Sequence, residues 1–138
     1  MAESALSVQG ACVVDTNAVV YFLNQAGGEA FRQRFEQAVR AGAVVSVVTR
    51  IEVLGWPGFS DRADALLVAE RLLSALCEEP VTEPIVAATI SIRRLHRLKV
   101  PDALIAATAQ VLGLPLMTHN LSDFKRVPGL VLIDPLAA

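Results

Sequence analysis

The chain has 138 residues, 54% of them hydrophobic and 19% charged, with a mean hydropathy of +0.50. One core commonly holds roughly 100 to 200 residues, so the composition predicts a single domain over residues 1–138, excludes intrinsic disorder, and leaves apolar surface for a partner. A net charge of −2 excludes a molecule that holds nucleic acid by overall charge, so any polyanion must meet a local patch.

The N-terminal Met1-Ala2-Glu3-Ser4 lacks a cationic start, and Asp15 interrupts the first apolar run, so neither a signal peptide nor a membrane span is expected. Ala11–Val14 is a β-branched run ending at Asp15, followed by apolar residues at helical spacing over Ala18–Leu23. Ala30–Arg40 is an amphipathic helix with Phe31, Phe35 and Ala38 on its apolar side. Val44–Val48 reads as a buried strand, and Thr49–Leu54 as a helix stopped by a loop at Gly55-Trp56-Pro57-Gly58. Arg62–Leu76 and Pro84–Leu98 read as helices, with an edge strand expected around Val81 between them. Asp102–Leu112 is a helix ended by Gly113, and Leu116–Thr118 and Leu130–Ile133 are strands separated by Asn120–Val127. Strand alternating with helix predicts a three-layer α/β/α sandwich around a mainly parallel sheet. Cys12 and Cys77 are too few to staple the domain and have no metal-finger spacing, so both are expected as buried thiols in a reducing, cytoplasmic setting.

Four carboxylates stand at related places: Asp15 after the first strand, Glu52 one turn beyond the second, Asp102 opening a helix, and Asp123 after Leu116–Thr118. Carboxyl ends of parallel strands line one crevice, so the four can converge. Each also has an ordinary structural reading. Thr49-Arg50-Ile51-Glu52 fits a capping box, Asp102 suits the positive end of its helix dipole, and Asp15 and Asp123 fit helix starts. If the four share one rim, each pair about 5 Å apart costs roughly 3 kcal/mol at an effective dielectric near 20. Such a cluster takes up protons or a cation. Oxygen donors without Cys or paired His point to Mg²⁺ or Mn²⁺, and to phosphodiester chemistry with a metal-activated water.

Arg93, Arg94, Arg97 and Lys99 place four of the 12 basic residues within seven positions just before Asp102, beside His96. They form either a local patch that guides the phosphates of a polyanion or the solvated face of a helix. Lys125 and Arg126 carry the same two readings. Trp56 and Phe59 offer a platform for an unpaired base, a seat for a partner segment, or the capped edge of a core. His96 and His119 titrate in the range of general acids, yet neither has a sequence partner that fixes such a role.

Val13-Val14-Asp15-Thr16-Asn17, Thr49-Arg50-Ile51-Glu52-Val53-Leu54, Pro101-Asp102-Ala103-Leu104-Ile105-Ala106-Ala107 and Thr118-His119-Asn120-Leu121-Ser122-Asp123-Phe124 resemble, in order and spacing, the four motifs of the PIN-domain ribonucleases. The compact length and the start of the third motif most resemble VapC-type toxins of toxin–antitoxin pairs. The resemblance implies a metal-dependent endoribonuclease, a homodimer and inhibition by a cognate antitoxin. By position, it implies Asp15, Asp102 and Glu52 as metal ligands, with Asp123 the fourth acid, acting through water. Asn17 and Asn120 become supporting polar groups, and Thr16 and Thr118 hydroxyls that orient carboxylates. His119 departs from many relatives, which carry Arg or another polar residue there.

A receiver-like phosphorylation domain wants an acidic pair after its first strand and a Lys near the end of a late strand, and neither is present. A haloacid-dehalogenase-type phosphatase wants Asp-x-Asp where this chain has Asp15-Thr16-Asn17. The remaining alternative is a non-catalytic PIN-like binding or assembly module. Retention of all four mutually repelling acids weighs against it.

Overall fold

The computed structural model describes residues 10–137. Its elements are β1 (Val13–Val14), α1 (Thr16–Leu23), α2 (Gly28–Arg40), β2 (Val44–Ser46), α3 (Val47–Leu54), a 3₁₀ turn (Pro57–Asp61), α4 (Ala63–Ser74), β3 (Cys77–Glu79), α5 (Glu83–His96), α6 (Val100–Leu112), β4 (Leu116–Met117), α7 (Leu121–Phe124) and β5 (Leu132–Ile133). The five strands form one sheet in the order β3-β2-β1-β4-β5, every pair parallel.

Successive strand residues point to opposite faces, and the sheet uses both. Val14, Val45 and Met117 pack into a core with Val19 of α1, Phe31 and Phe35 of α2, Val53 of α3 and Leu73 of α4. Val13 and Leu116 face the other way, onto Ile85 and Ile92 of α5, Ile105 of α6 and Phe124 of α7. Each face is therefore covered by helices, and the expected α/β/α layering is present. Apolar strands with both faces covered are the usual condition of a parallel sheet. Among the described residues, no helix is long and apolar enough to cross a membrane.

The chain fills one side of β1 with β2 and β3, then returns to the other side with β4 and β5. Neighbouring strands β1 and β4 therefore flank the switch point of the sheet, where a crevice opens beyond their carboxyl ends. Val14 pairs with Met117, so the residues that follow, Asp15 and Thr118, emerge side by side at that crevice.

Several local expectations are corrected. β2 stops at Ser46, whose hydroxyl accepts from the Val48 N–H at 3.1 Å and caps α3. The helix thus starts two residues before Thr49, and the Thr49–Glu52 capping box does not form. The edge strand is Cys77–Glu79 and not the segment around Val81, because Val44, Val45 and Ser46 register against those three residues. Cys77 is consequently exposed on that edge strand, while Cys12 is buried. A 3₁₀ turn follows Trp56, with Pro57 in its first turn. Arg97 adopts the left-handed conformation (φ 58°) and ends α5 before Leu98. α6 begins at Val100, putting Asp102 in its first turn without a capping bond, and Gly113 ends it at φ 67°.

Candidate active site

Asp15 immediately follows β1 and is 3% exposed. Its carboxylate oxygen Oδ2 accepts from the Thr118 hydroxyl at 2.8 Å, and the Asn120 N–H donates to that same hydroxyl oxygen at 2.9 Å. Burial pushes the Asp15 carboxyl up to about 6, the Thr118 bond pulls it down, the Asp102 charge pushes it up, and the Thr16 and Asn17 N–H groups at the start of α1 pull it down.

Glu52 lies on α3, where its Oε1 accepts from the Thr16 hydroxyl at 2.7 Å. Thr16 Oγ1 also lies 2.9 Å from the Thr49 hydroxyl, and Thr49 is fully buried. The two threonines brace α1 against α3 and fix the carboxylate that a capping box would have turned back onto its own helix.

Asp102, half-buried on α6, stands at the electrostatic centre of the group. Burial, then the charges of Glu52 and Asp123, raise its carboxyl above the ordinary value, and Lys99 pulls the other way. Asp123 on α7 accepts from Asn120 Nδ2 at 3.0 Å and lies 3.6 Å from Arg126. Four carboxylates, three on separate helices and Asp15 at the end of β1, are thus linked by repulsion through Asp102: with Asp15 on one side, and with Glu52 and Asp123 on the other.

The donor set is anionic, hard and entirely oxygen, which suits a divalent cation of the Mg²⁺ type. Among the described residues, no three His, Cys, Asp or Glu side chains form a ready-made ligand cluster. An ion at this site would therefore be held by some of these carboxylates directly and by others through water.

The supporting residues divide. Thr16, Thr118 and Asn120 hydrogen-bond to acids or to their supports, whereas Asn17 is exposed and its amide has no hydrogen-bond partner among the described residues. Of the basic residues, Lys99 acts on Asp102 and Arg126 on Asp123. Arg93 donates to the Leu98 carbonyl at 3.2 Å and ties down the end of α5. Arg94, Arg97 and Lys125 are exposed.

Trp56 is not a free platform. Its ring lies over Gly58, meets Phe59 edge-on at 5.0 Å, and has the Arg62 guanidinium 6.0 Å from its centre. With Val20, Leu23, Glu52 and Val68 these side chains line a groove of about 470 Å³ that borders the acids at Glu52. Leu23, Gln25 and Val68 also line a second groove of about 590 Å³ over Phe22, Phe31 and Leu72.

Two participants were missed from the sequence. Thr49 was read as a helix cap and is instead a buried brace for Thr16. Asp134, directly after β5, accepts the Leu136 N–H at 3.0 Å and lies 3.1 Å from His119 Nδ1. Its signal was the one that marked Asp15, an acid closing a short apolar strand.

A family model described as the PIN domain matches residues 12–130. Among solved structures, the fold is similar to a chain of a toxin–antitoxin complex from Klebsiella pneumoniae, with 28% identity, a TM-score of 0.70, and coverage of 90% of this chain and 97% of that one. A chain of DNA-bound VapBC from Salmonella typhimurium is 26% identical, with a TM-score of 0.78 over 91% and 98% of the two chains. VapBC-1 from nontypeable Haemophilus influenzae, at 21% identity, a TM-score of 0.77 and coverage of 92% and 99%, shares the fold. A search of curated protein sequences gave no match.

Proposed function

The chain belongs to the PIN-domain family, and from that premise we propose that it is a Mg²⁺- or Mn²⁺-dependent endoribonuclease, acting as one nuclease unit and as the toxin of a toxin–antitoxin pair. The observation that carries the reading is that hydrogen bonds from Thr118, Thr16 and Asn120 fix the Asp15, Glu52 and Asp123 carboxylates around Asp102, whose like charge they repel. Like charges gathered at a crevice cost stability, and a bound cation reverses that cost. Asp15, Asp102 and Glu52 would hold the ion, and Asp123 would act through water. When bound, the ion supplies a water acidified toward neutral pH and neutralises charge building on the phosphate.

The chain's own groups orient that site. Thr118 fixes Asp15, Thr16 fixes Glu52, and Asn120 joins Asp123 to the Thr118 hydroxyl. Lys99 and Arg126 beside the acids, and Arg93, Arg94, Arg97 and Lys125 farther out, supply the local cations that draw in RNA phosphates despite the net negative charge. The antitoxin partner is supported by the similar structures, one described as a toxin–antitoxin complex and one as VapBC. The groove from Glu52 past Trp56 to Val68 would seat an apolar antitoxin segment, bringing it to the edge of the acids. Exposed Ile90, Leu95 and Val100 on α5 and α6 offer apolar surface for a homodimer.

The test is a calorimetric Mn²⁺ titration of the full chain beside Asp102→Asn, followed by incubation of both with RNA. Metal binding and cleavage by the wild type, both lost in the variant, are expected. No metal binding at millimolar Mn²⁺ together with no cleavage would overturn the reading in favour of a binding module.

A further inference from the structure

A hollow of about 250 Å³ lies beside the acids, between α1 and the turns that follow β4 and β5. Asn17 and Tyr21, four residues apart on one face of α1, form one wall. His119 and Asn120 form the other, and Phe31 and Pro135 close the apolar base. Tyr21 is braced edge-on by buried Phe31, ring centres 6.1 Å apart. The His119 ring is pinned through Nδ1 to Asp134, whose same oxygen is fixed by the Leu136 N–H.

We infer that this hollow receives one unpaired nucleobase of the RNA strand, the base adjoining the scissile phosphate. The inference rests on the ribonuclease reading of the acid cluster. Volume favours a single base, because larger drug-sized ligands fill about 300–1,000 Å³. Chemistry favours the base over its phosphate, since among the described residues no Lys or Arg lines the hollow. Aromatic walls suit a π-face, while the Asn17 amide, unpaired among the described residues, and the second N–H of Asn120 suit the donor and acceptor edge that distinguishes one base from another. Position is set by Asn120, which lines the hollow, is bonded to Asp123, and donates its backbone N–H to the Thr118 hydroxyl that holds Asp15.

Tyr21 is the only tyrosine, so its ring signals in NMR report the hollow without ambiguity. The full chain with EDTA is titrated with each of the four ribonucleoside 5′-monophosphates and with ribose 5-phosphate. Upfield shifts of the Tyr21 ring, together with movement of the His119 signals, are expected for at least one nucleotide and not for ribose 5-phosphate. Tyr21→Phe should retain the His119 response, and Tyr21→Leu should weaken binding roughly 5- to 150-fold, the usual range for one stacked base. No nucleotide response, or an equal response to ribose 5-phosphate, would overturn the inference. So would a Tyr21 response to an antitoxin peptide but to no nucleotide, which would give the hollow to a protein. Because the titration involves no cleavage, its failure is separate from failure of the nuclease reading, which the RNA incubation decides.

Discussion

The Thr118 hydroxyl donates to Asp15 Oδ2 at 2.8 Å across 103 positions of sequence. β1 and β4 are neighbours in register, so the bond spans the switch point of the sheet and aims a buried carboxylate into the crevice. Thr118→Val removes the donor and leaves the charge less solvated. A hydrogen bond to a charged group contributes about 1.5–3 kcal/mol. Urea unfolding should show a loss of that order at pH 8 and a smaller one at pH 5, where more of Asp15 is protonated. Equal losses at both pH values would mean that Thr118 acts only by packing.

Asp15→Asn should stabilise the metal-free fold while abolishing RNA cleavage. Burial raises the folded carboxyl from 3.8 to about 6, so the folded state binds the proton more tightly than the unfolded one. Stability therefore falls as pH rises from about 4 through about 6, and the deficit persists above that range. Two pH units correspond to about 3 kcal/mol at most. Urea midpoints in EDTA should be higher for the variant at pH 7.5 and similar at pH 4. A variant that is less stable at pH 7.5 would show that the charge is better compensated than its neighbours indicate.

Much of this was legible in the chain because the signals are local. Apolar runs ending in Asp15 and in Thr118 marked the strands that flank the crevice, and Gly113 marked a helix end that needs a positive φ. What escaped is set by tertiary partners. Thr49-x-x-Glu52 carries the same residue types whether it caps a helix or braces one. Only the distance to Thr16, 33 positions away, separates the two. Likewise β3 carries Cys77-Glu78-Glu79, whose exposed positions hide a strand that exists because β2 offers it an edge. The Asp134 and His119 pair spans the ends of two strands and has no spacing signature.

The location of the α3 cap separates two substitutions. Ser46→Ala removes the oxygen that accepts the Val48 N–H and should cost about 1 kcal/mol, the usual loss for such a cap. Glu52→Gln should cost almost nothing, or stabilise, since Glu52 caps no helix and its charge raises the Asp102 carboxyl. Thermal unfolding of both variants without metal checks this. A loss at Glu52 as large as that at Ser46 would restore the capping-box reading of Thr49 and Glu52.

Thr16→Val tests the support of Glu52 without touching a carboxylate. Its hydroxyl is bonded to Glu52 Oε1 at 2.7 Å and lies 2.9 Å from Thr49 Oγ1. Groups that orient metal ligands typically change affinity or activity about 10- to 100-fold when removed. Mn²⁺ affinity and RNA cleavage should fall by that order, and the unfolding midpoint should fall as well, because the buried Thr49 hydroxyl loses its partner. Unchanged affinity with a lowered midpoint would confine Thr16 to bracing α1 against α3.

Metal binding should be coupled to proton release on the acid side of neutrality. A cation binds the ionised carboxylates, and both Asp15 and Asp102 hold their protons more tightly than free carboxyls do. At pH 6, the value to which Asp15 is raised, about half a proton from that residue alone must leave on binding. At pH 8 almost none is left to displace. Mn²⁺ calorimetry in buffers of different ionisation enthalpy should therefore give about half a proton or more released at pH 6, little at pH 8, and an affinity that weakens as pH falls below 6. Binding without proton release at pH 6 would place the ion away from Asp15, and the four acids would then lose their common role.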